Sequence, residues 1–279
     1  NNEAFLLKAL GIYDQAHSQF VAVLAQNRDV RGEDHPQTVM AMINLGDNAM
    51  EMSRHKEAAE IFSEALSQCK RVFGPDNEYT ISTISRIGTI LHLTGRIWDA
   101  EPFYRLSLYE RLRVFGWAHP DSLTAFGNLG TILEEQGKLR EAEPYFSTSL
   151  SESTNRYGPS HPSTLTHLHN MGFFFQRQGR LADAEQAFRA ALIGRIQVLG
   201  ENHRHTIESC SAIGVVLWEQ SHLTEALPYF QKVLDWRMAA LGPDHADTLS
   251  AMSNMGILLD SMGHHEEAET LLQKVLHVR

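Results

Sequence analysis

The chain has 279 residues, a net charge of −10 and an ordinary apolar fraction of 43%. That balance excludes the basic face a nucleic-acid binder needs to displace counterions, and it does not suit an anionic membrane surface. The two cysteines, Cys69 and Cys210, lie too far apart along the chain to pair within a stacked array. That fits a reducing, cytoplasmic setting, and no apolar run nears the roughly 18 residues of a membrane span.

The chain repeats itself. The segment A-H-P-D-S-L-T-A-F-G-N-L-G at 118–130 recurs at 34–46, 76–88, 160–172, 202–214 and 244–256, a spacing of 42 residues without a slip. A fixed period of this size predicts an all-α array in which each unit packs only on its neighbours. In chain order the frame gives a partial first repeat at 1–32, then full repeats at about 33–74, 75–116, 117–158, 159–200 and 201–242. A shortened last repeat occupies 243–279. The whole is read as one domain, 1–279, and as a piece of a larger protein. Residues 1–10 are expected to be the tail of a helix, with Asn2 in register with Asn44, and Arg279 to fall inside the last helix.

Each period predicts two helices. The first, A, follows the H-P-x-T block, with apolar residues such as Leu123, Phe126, Leu129 and Leu133 on one stripe. Two sets of residues compete for its N-cap: Asp34, Ser160, Asn202 and Asp244, or Ser122 with Thr38, Thr80, Thr164, Thr206 and Thr248. The helix stops at Ser53, Gly95, Gly137, Gly179, Ser221 or Gly263, as a left-handed cap. The second, B, opens with an acid and an Ala (Glu57-Ala58 in the second repeat) and carries an aromatic or Leu four residues on. Pro102, Pro144 and Pro228 must sit in its opening turn or kink it. It ends at an aromatic or Leu followed by Gly, and the short loop to the next block requires antiparallel neighbours. A Gly recurs inside every full A helix (46, 88, 130, 172, 214, 256), each costing about 1 kcal/mol relative to Ala. The expected reason is close approach of the small Ala58-type residue of helix B.

This pattern resembles the tetratricopeptide repeat. Gly130, Ala142 and Phe146 match its small residue late in helix A, its Ala early in helix B and its following aromatic. The 42-residue period and the phrases N-L-G and E-A-E-P are similar to the kinesin light chain subtype. The resemblance implies a right-handed α-solenoid, a superhelix whose A helices line a concave groove that holds an extended peptide or a partner helix. It also implies that the Asn before Leu-Gly bonds the ligand backbone: Asn44, Asn128, Asn170 and Asn254, and Asn2 at the start. Arg86 and Ala212 break this ladder; Arg86 still offers a fork to a carboxylate, Ala212 offers nothing. A carboxamide suits such a task because it donates and accepts, reading peptide backbone without reading sequence. The alternative is that each Asn bonds its own array.

Phase alone places further residues on the same face, among them Asp47, Glu51, His92, Glu134, Glu135, His169, Arg177, Trp218, Glu219 and Asp260. This face is acidic overall, so the expected protein or peptide partner is not strongly acidic. Trp218 is the candidate anchor, if it is not buried between repeats. The resulting site is Asn44, Arg86, Asn128, Asn170, Asn254, Arg177, Trp218 and His92. Five of the 15 His recur one unit apart in the loops, too far to share a metal. No phosphate loop, zinc motif or nucleophile elbow occurs, so no catalytic residue, metal or cofactor is expected. Phe173-Phe174-Phe175 reads as core between repeats, although Phe173 could face the groove. The function implied is a non-enzymatic protein-interaction array. The alternative is the sensor arm of a larger signalling protein whose kinase, NTPase or protease activity the repeats gate. Self-association through Leu271, Leu272, Val275 and Leu276 of the last helix is a third expectation.

Overall fold

The computed structural model describes residues 2–278, and every regular element among them is an α-helix. There are fourteen, and they fall into two compact units, Asn1–Tyr145 and Phe146–Arg279. The side chain of Asn2, and Arg279 altogether, lie outside the described residues.

The first unit is a stack of helix pairs. Helices α1 (Asn2–Ala9) and α2 (Tyr13–Arg31) are followed by α3 (Pro36–Glu51) and α4 (His55–Val72). Then come α5 (Glu78–Leu93), α6 (Ile97–Phe115), α7 (Pro120–Glu135) and the first residues of α8 (Leu139–Tyr157). Its core runs through Phe20, Val39, Met42, Ala58 and Phe62. The second unit carries the rest of α8, then α9 (Pro162–Arg177), α10 (Leu181–Leu199), α11 (Arg204–Glu219), α12 (Leu223–Leu241), α13 (Ala246–Ser261) and α14 (His265–Val278). Phe188, Ile213, Val216, Leu217 and Phe230 form its core. The odd-numbered helices are the A helices and the even-numbered ones the B helices. Cys69 and Cys210 are buried free thiols, and burial pushes both thiols up.

The A helices start in a way that neither set of cap candidates anticipates. The cap is the loop His itself. Nδ1 of His35, His119, His161, His203 and His245 accepts the backbone N–H two residues on, at 3.1–3.3 Å; Asn77 does the same for Tyr79 at 2.9 Å. The accepting Nδ1 places the imidazole proton on Nε2. A His also does what Asp or Ser cannot: its ring stacks on the end of the preceding B helix, His119 on Phe115 at 4.8 Å and His161 on Tyr157 at 4.6 Å. The Thr candidates have a different task. Thr38, Thr80 and Thr206 donate to the carbonyls of Gly32, Gly74 and Gly200, tying each loop down from inside. Those glycines hold φ near +88°, and Gly32 and Gly200 combine it with an extended ψ that only glycine adopts readily. A further tether joins consecutive pairs. Asn27, Arg111, Arg195 and Arg237 of the B helices each donate to a carbonyl ten residues ahead, those of Gln37, Asp121, His205 and Asp247.

The A helices end as expected, with Gly95, Gly137, Gly179 and Gly263, and also Ser53 and Ser221, at positive φ. Pro102 and Pro228 lie beyond the opening turn of α6 and α12, so each leaves the carbonyl four residues back without its helical donor.

The mid-helix glycines are needed for a reason other than the one expected. What lies over Gly46, Gly88, Gly172 and Gly214 is an aromatic residue of helix B; over Gly256 it is Leu272, with the Ala268 carbonyl behind it. A Cβ on Gly46 would stand 2.7 Å from Cζ of Phe62, and one on Gly172 2.6 Å from Cε1 of Phe188. At Gly88 and Gly214 the nearest atoms are 3.3 and 3.4 Å away. In those four repeats the glycine is therefore a seat for a ring, and a tight one only in some.

Candidate functional site

Within each unit the A helices present one stripe away from their B partners, and its side chains reach from one A helix to the next. Several of them form polar rungs. In the first unit Arg86 holds Asp47 with both arms, Nε to Oδ1 at 2.6 Å and Nη2 to Oδ2 at 3.0 Å, and lies over the Phe62 ring. His92 Nε2 meets Glu135 Oε2 at 2.8 Å, and Lys8 lies 3.9 Å from Glu51. In the second unit Gln176 donates to Glu219 at 3.0 Å, and the Trp218 indole N–H to the Ser261 hydroxyl at 3.3 Å. Apart from the Arg86 pair, each rung joins residues 43 apart, so they recur with the array.

Set against those rungs, the asparagines of the ladder stand out. Asn44, Asn128, Asn170 and Asn254 are all half-buried on α3, α7, α9 and α13, and among the described residues the side chain of none of them has a hydrogen-bond partner. The contrast is sharpest on α3. Asn48, one turn after Asn44, is fully buried and donates to the Tyr13 carbonyl at 3.1 Å. That is what an asparagine bonding its own array looks like, and the ladder asparagines do not do it.

The other candidate residues divide. Arg86 and His92 are part-buried and committed to acids of the neighbouring A helix. Trp218 is 37% exposed, so it is not buried between repeats, but its N–H is in use. Arg177 is exposed. The acidity of the face is smaller than the residue types suggest, because Asp47 is neutralised by Arg86; Asp260 shares a hydrogen bond with His265 at 2.7 Å. Phe173 is 43% exposed while Phe174 is fully buried, so the triple Phe is split between surface and core.

The sequence reading missed one feature of the second unit, a hollow of about 460 Å³ beside Asn170 and Ala212, into which the buried His169 and Arg195 also face. Burial pushes the His169 imidazole down to about 3, helped by the Arg195 charge, so it is neutral; burial also lowers Arg195. The only sequence signal for this hollow is the break in the ladder at Ala212. No cluster of three or more His, Cys, Asp or Glu able to hold a metal occurs among the described residues, and no helix there is long and apolar enough to cross a membrane.

A repeat of paired helices with a ring seated on a glycine can be compared with known families. The tetratricopeptide repeat profile matches residues 1–65, 43–108, 121–192, 164–237 and 209–279. The chain belongs to the tetratricopeptide repeat family. Solved relatives of the same repeat type agree. The chain is similar to the kinesin light chain TPR-like repeats of Podosopora anserina, at 16% identity and a TM-score of 0.61, over 71% of this chain and 93% of that one. It is similar to BtubC (BKLC) from P. vanneervenii, at 17% identity and 0.68, over 81% and 91%. It is also similar to Cut9–Hcn1, a hetero-tetramer of the APC/C, at 13% identity and 0.66, over 94% of this chain and 43% of that one. At these identities the likeness speaks for the fold. No curated protein matches the sequence. Tetratricopeptide repeats are protein-interaction scaffolds, and that general role is the one this chain's family supports.

Proposed function

We propose that the A-helix face of each unit binds an extended peptide or helical segment of a partner protein, and that the ladder asparagines grip its backbone. The supporting observation is the division of labour on that face. Arg86, His92, Gln176 and Trp218 bond neighbouring helices, whereas Asn44, Asn128, Asn170 and Asn254 are half-buried with their carboxamides unused. A part-desolvated carboxamide is a poor thing to leave unpaired, and an extended backbone supplies both of the partners it lacks. Arg86 fits this scheme as a fixed rung, not as a ligand group, since its fork is filled by Asp47. Glu51, Glu135, Glu219 and Asp260 keep the face acidic enough to disfavour a strongly acidic peptide.

The test uses peptides selected from a random display library on the intact chain. The double variant Asn170→Ala/Asn254→Ala should weaken selected binders by about 1–3 kcal/mol, about 5- to 150-fold, from two hydrogen-bonding groups at about 0.5–1.5 kcal/mol each. Helicity should not change. Equal affinity would move the site off the A-helix face.

A further inference from the structure

Ala212 stands on α11 where other A helices carry the ladder Asn. The hollow of about 460 Å³ lies there, between the stripes of α9 and α11. Ala212 and Val215 line it from one helix, Asn170 and Phe173 from the other. Phe173 is 43% exposed, yet its ring is fixed, edge-on to His169 at 4.8 Å and to Phe188 at 5.0 Å. An aromatic wall already locked in place loses little entropy when a ligand packs on it. Asn170, with its carboxamide unused, sits beside that wall.

We infer that this hollow is a side-chain pocket for one bulky uncharged residue, aromatic or long aliphatic, of the bound peptide, and that Ala212 is the position that creates the preference. The inference rests on the groove reading above. The charges in the pocket select against ions of either sign. A Lys or Arg side chain would meet Arg195, 2% exposed, and Arg237. An Asp or Glu would meet Glu208, whose carboxylate is already held by His205 at 2.8 Å and Arg204 at 3.1 Å. Arg195 already gives its Nη1 to the His205 carbonyl at 2.7 Å and the Ser209 hydroxyl at 2.8 Å, so an acid would have to share a guanidinium that the array uses. A buried charge without a good partner is costly, whereas an apolar side chain gains from the Phe173, Val215 and Ala212 surfaces. The missing carboxamide is thus not only a lost backbone contact. It exchanges a rung that ignores sequence for a pocket that reads it.

The experiment is the same display selection, run on the wild-type chain and on Ala212→Asn. Asn occupies this position in α3, α7, α9 and α13, so the variant is expected to fold, with circular dichroism as the check. Wild-type binders should share one bulky uncharged residue at a fixed place, and Ala212→Asn should bind them tenfold or more weakly and lose the enrichment. Binders with a charged or small residue there would overturn the pocket. So would equal affinity for Ala212→Asn. Peptides weakened by Asn170→Ala/Asn254→Ala but indifferent to Ala212→Asn leave the backbone clamp standing and sink the pocket alone. A wild-type chain that selects no peptide removes both.

Discussion

Gly172 and Gly214 hold the same place in successive repeats, yet Ala should have opposite effects on them. At Gly172 the new Cβ would lie 2.6, 2.7 and 3.0 Å from Cε1, Cδ1 and Cζ of Phe188, where carbon contacts prefer about 3.5–4.0 Å. The ring cannot easily retreat. It is fully buried, with His169 at 4.9 Å and Phe173 at 5.0 Å against it. Overpacking of this kind costs about 1–3 kcal/mol, against about 1 kcal/mol gained by replacing a mid-helix Gly, so the net is a loss of up to about 2 kcal/mol. At Gly214 the nearest atoms, of Phe230 and Tyr229, are 3.4 Å away and have little to yield, so most of the helix gain of about 1 kcal/mol survives. The two variants should differ by about 1–3 kcal/mol. Urea denaturation followed by circular dichroism measures the difference, and amide exchange in α9 and α10 shows whether the loss is local, as expected in an array of neighbour-only contacts. Phe188→Leu in the Gly172→Ala background should recover part of the loss. If Gly172→Ala proves as stable as Gly214→Ala, the ring-seat explanation is wrong.

The cap, the turn and the buried histidines give three further expectations. His35→Asn should leave stability almost unchanged, because Asn77 already caps α5 in the same way, while His35→Ala should cost about 1 kcal/mol; equal losses in thermal melts would deny the cap. Ser221→Gly should raise the melting temperature, since φ of 65° costs a residue with a Cβ about 1–2 kcal/mol, less the extra freedom glycine has when unfolded; a fall would show that the Ser side chain contributes more. Burial pushes His167 down to about 4, and burial with the Arg195 charge pushes His169 to about 3. Both are neutral in the folded chain, so their contribution is full above the unfolded value of about 6.5 and is lost as pH falls below it. Each adds a slope of about 1.4 kcal/mol per pH unit towards acid. The denaturation free energy of His169→Leu should depend less steeply on pH between about 6.5 and about 4; an unchanged slope would contradict the burial argument.

How much of this was legible in the sequence depends on whether the responsible residue acts within its own repeat. Helix pairs, the left-handed stops at Gly95 or Ser53 and the buried Leu123 stripe follow from spacing, because each is set by residues a few positions apart. The cap was misread because His is an uncommon cap and its choice depends on a partner outside the block, the ring of Phe115 or Tyr157. The place of the glycine and the close approach of helix B follow from spacing. The spacing fixes which residues face each other, but not that the Phe62 ring, rather than Ala58, reaches over Gly46. Sequence leaves the Arg86 fork open because its partner, Asp47, lies 39 residues away on another helix.

The same reasoning explains why a ladder of asparagines can persist unbonded on this face. A rung needs two residues one repeat apart with complementary chemistry, as His92 and Glu135 have, or Gln176 and Glu219. Asn170 looks across to Ala212 in the next repeat, and Ala212 has nothing to return. Asn44 looks across to Arg86, whose guanidinium is filled by Asp47. In neither case does the array hydrogen-bond the carboxamide, while about two turns further along the stripe it bonds helix to helix. The chain's own contacts therefore hold the A helices together and leave an unbonded carboxamide on α3, α7, α9 and α13. If the asparagines served the array instead, replacing Asn170 by Ala would lower stability; the structure gives it no bond to lose.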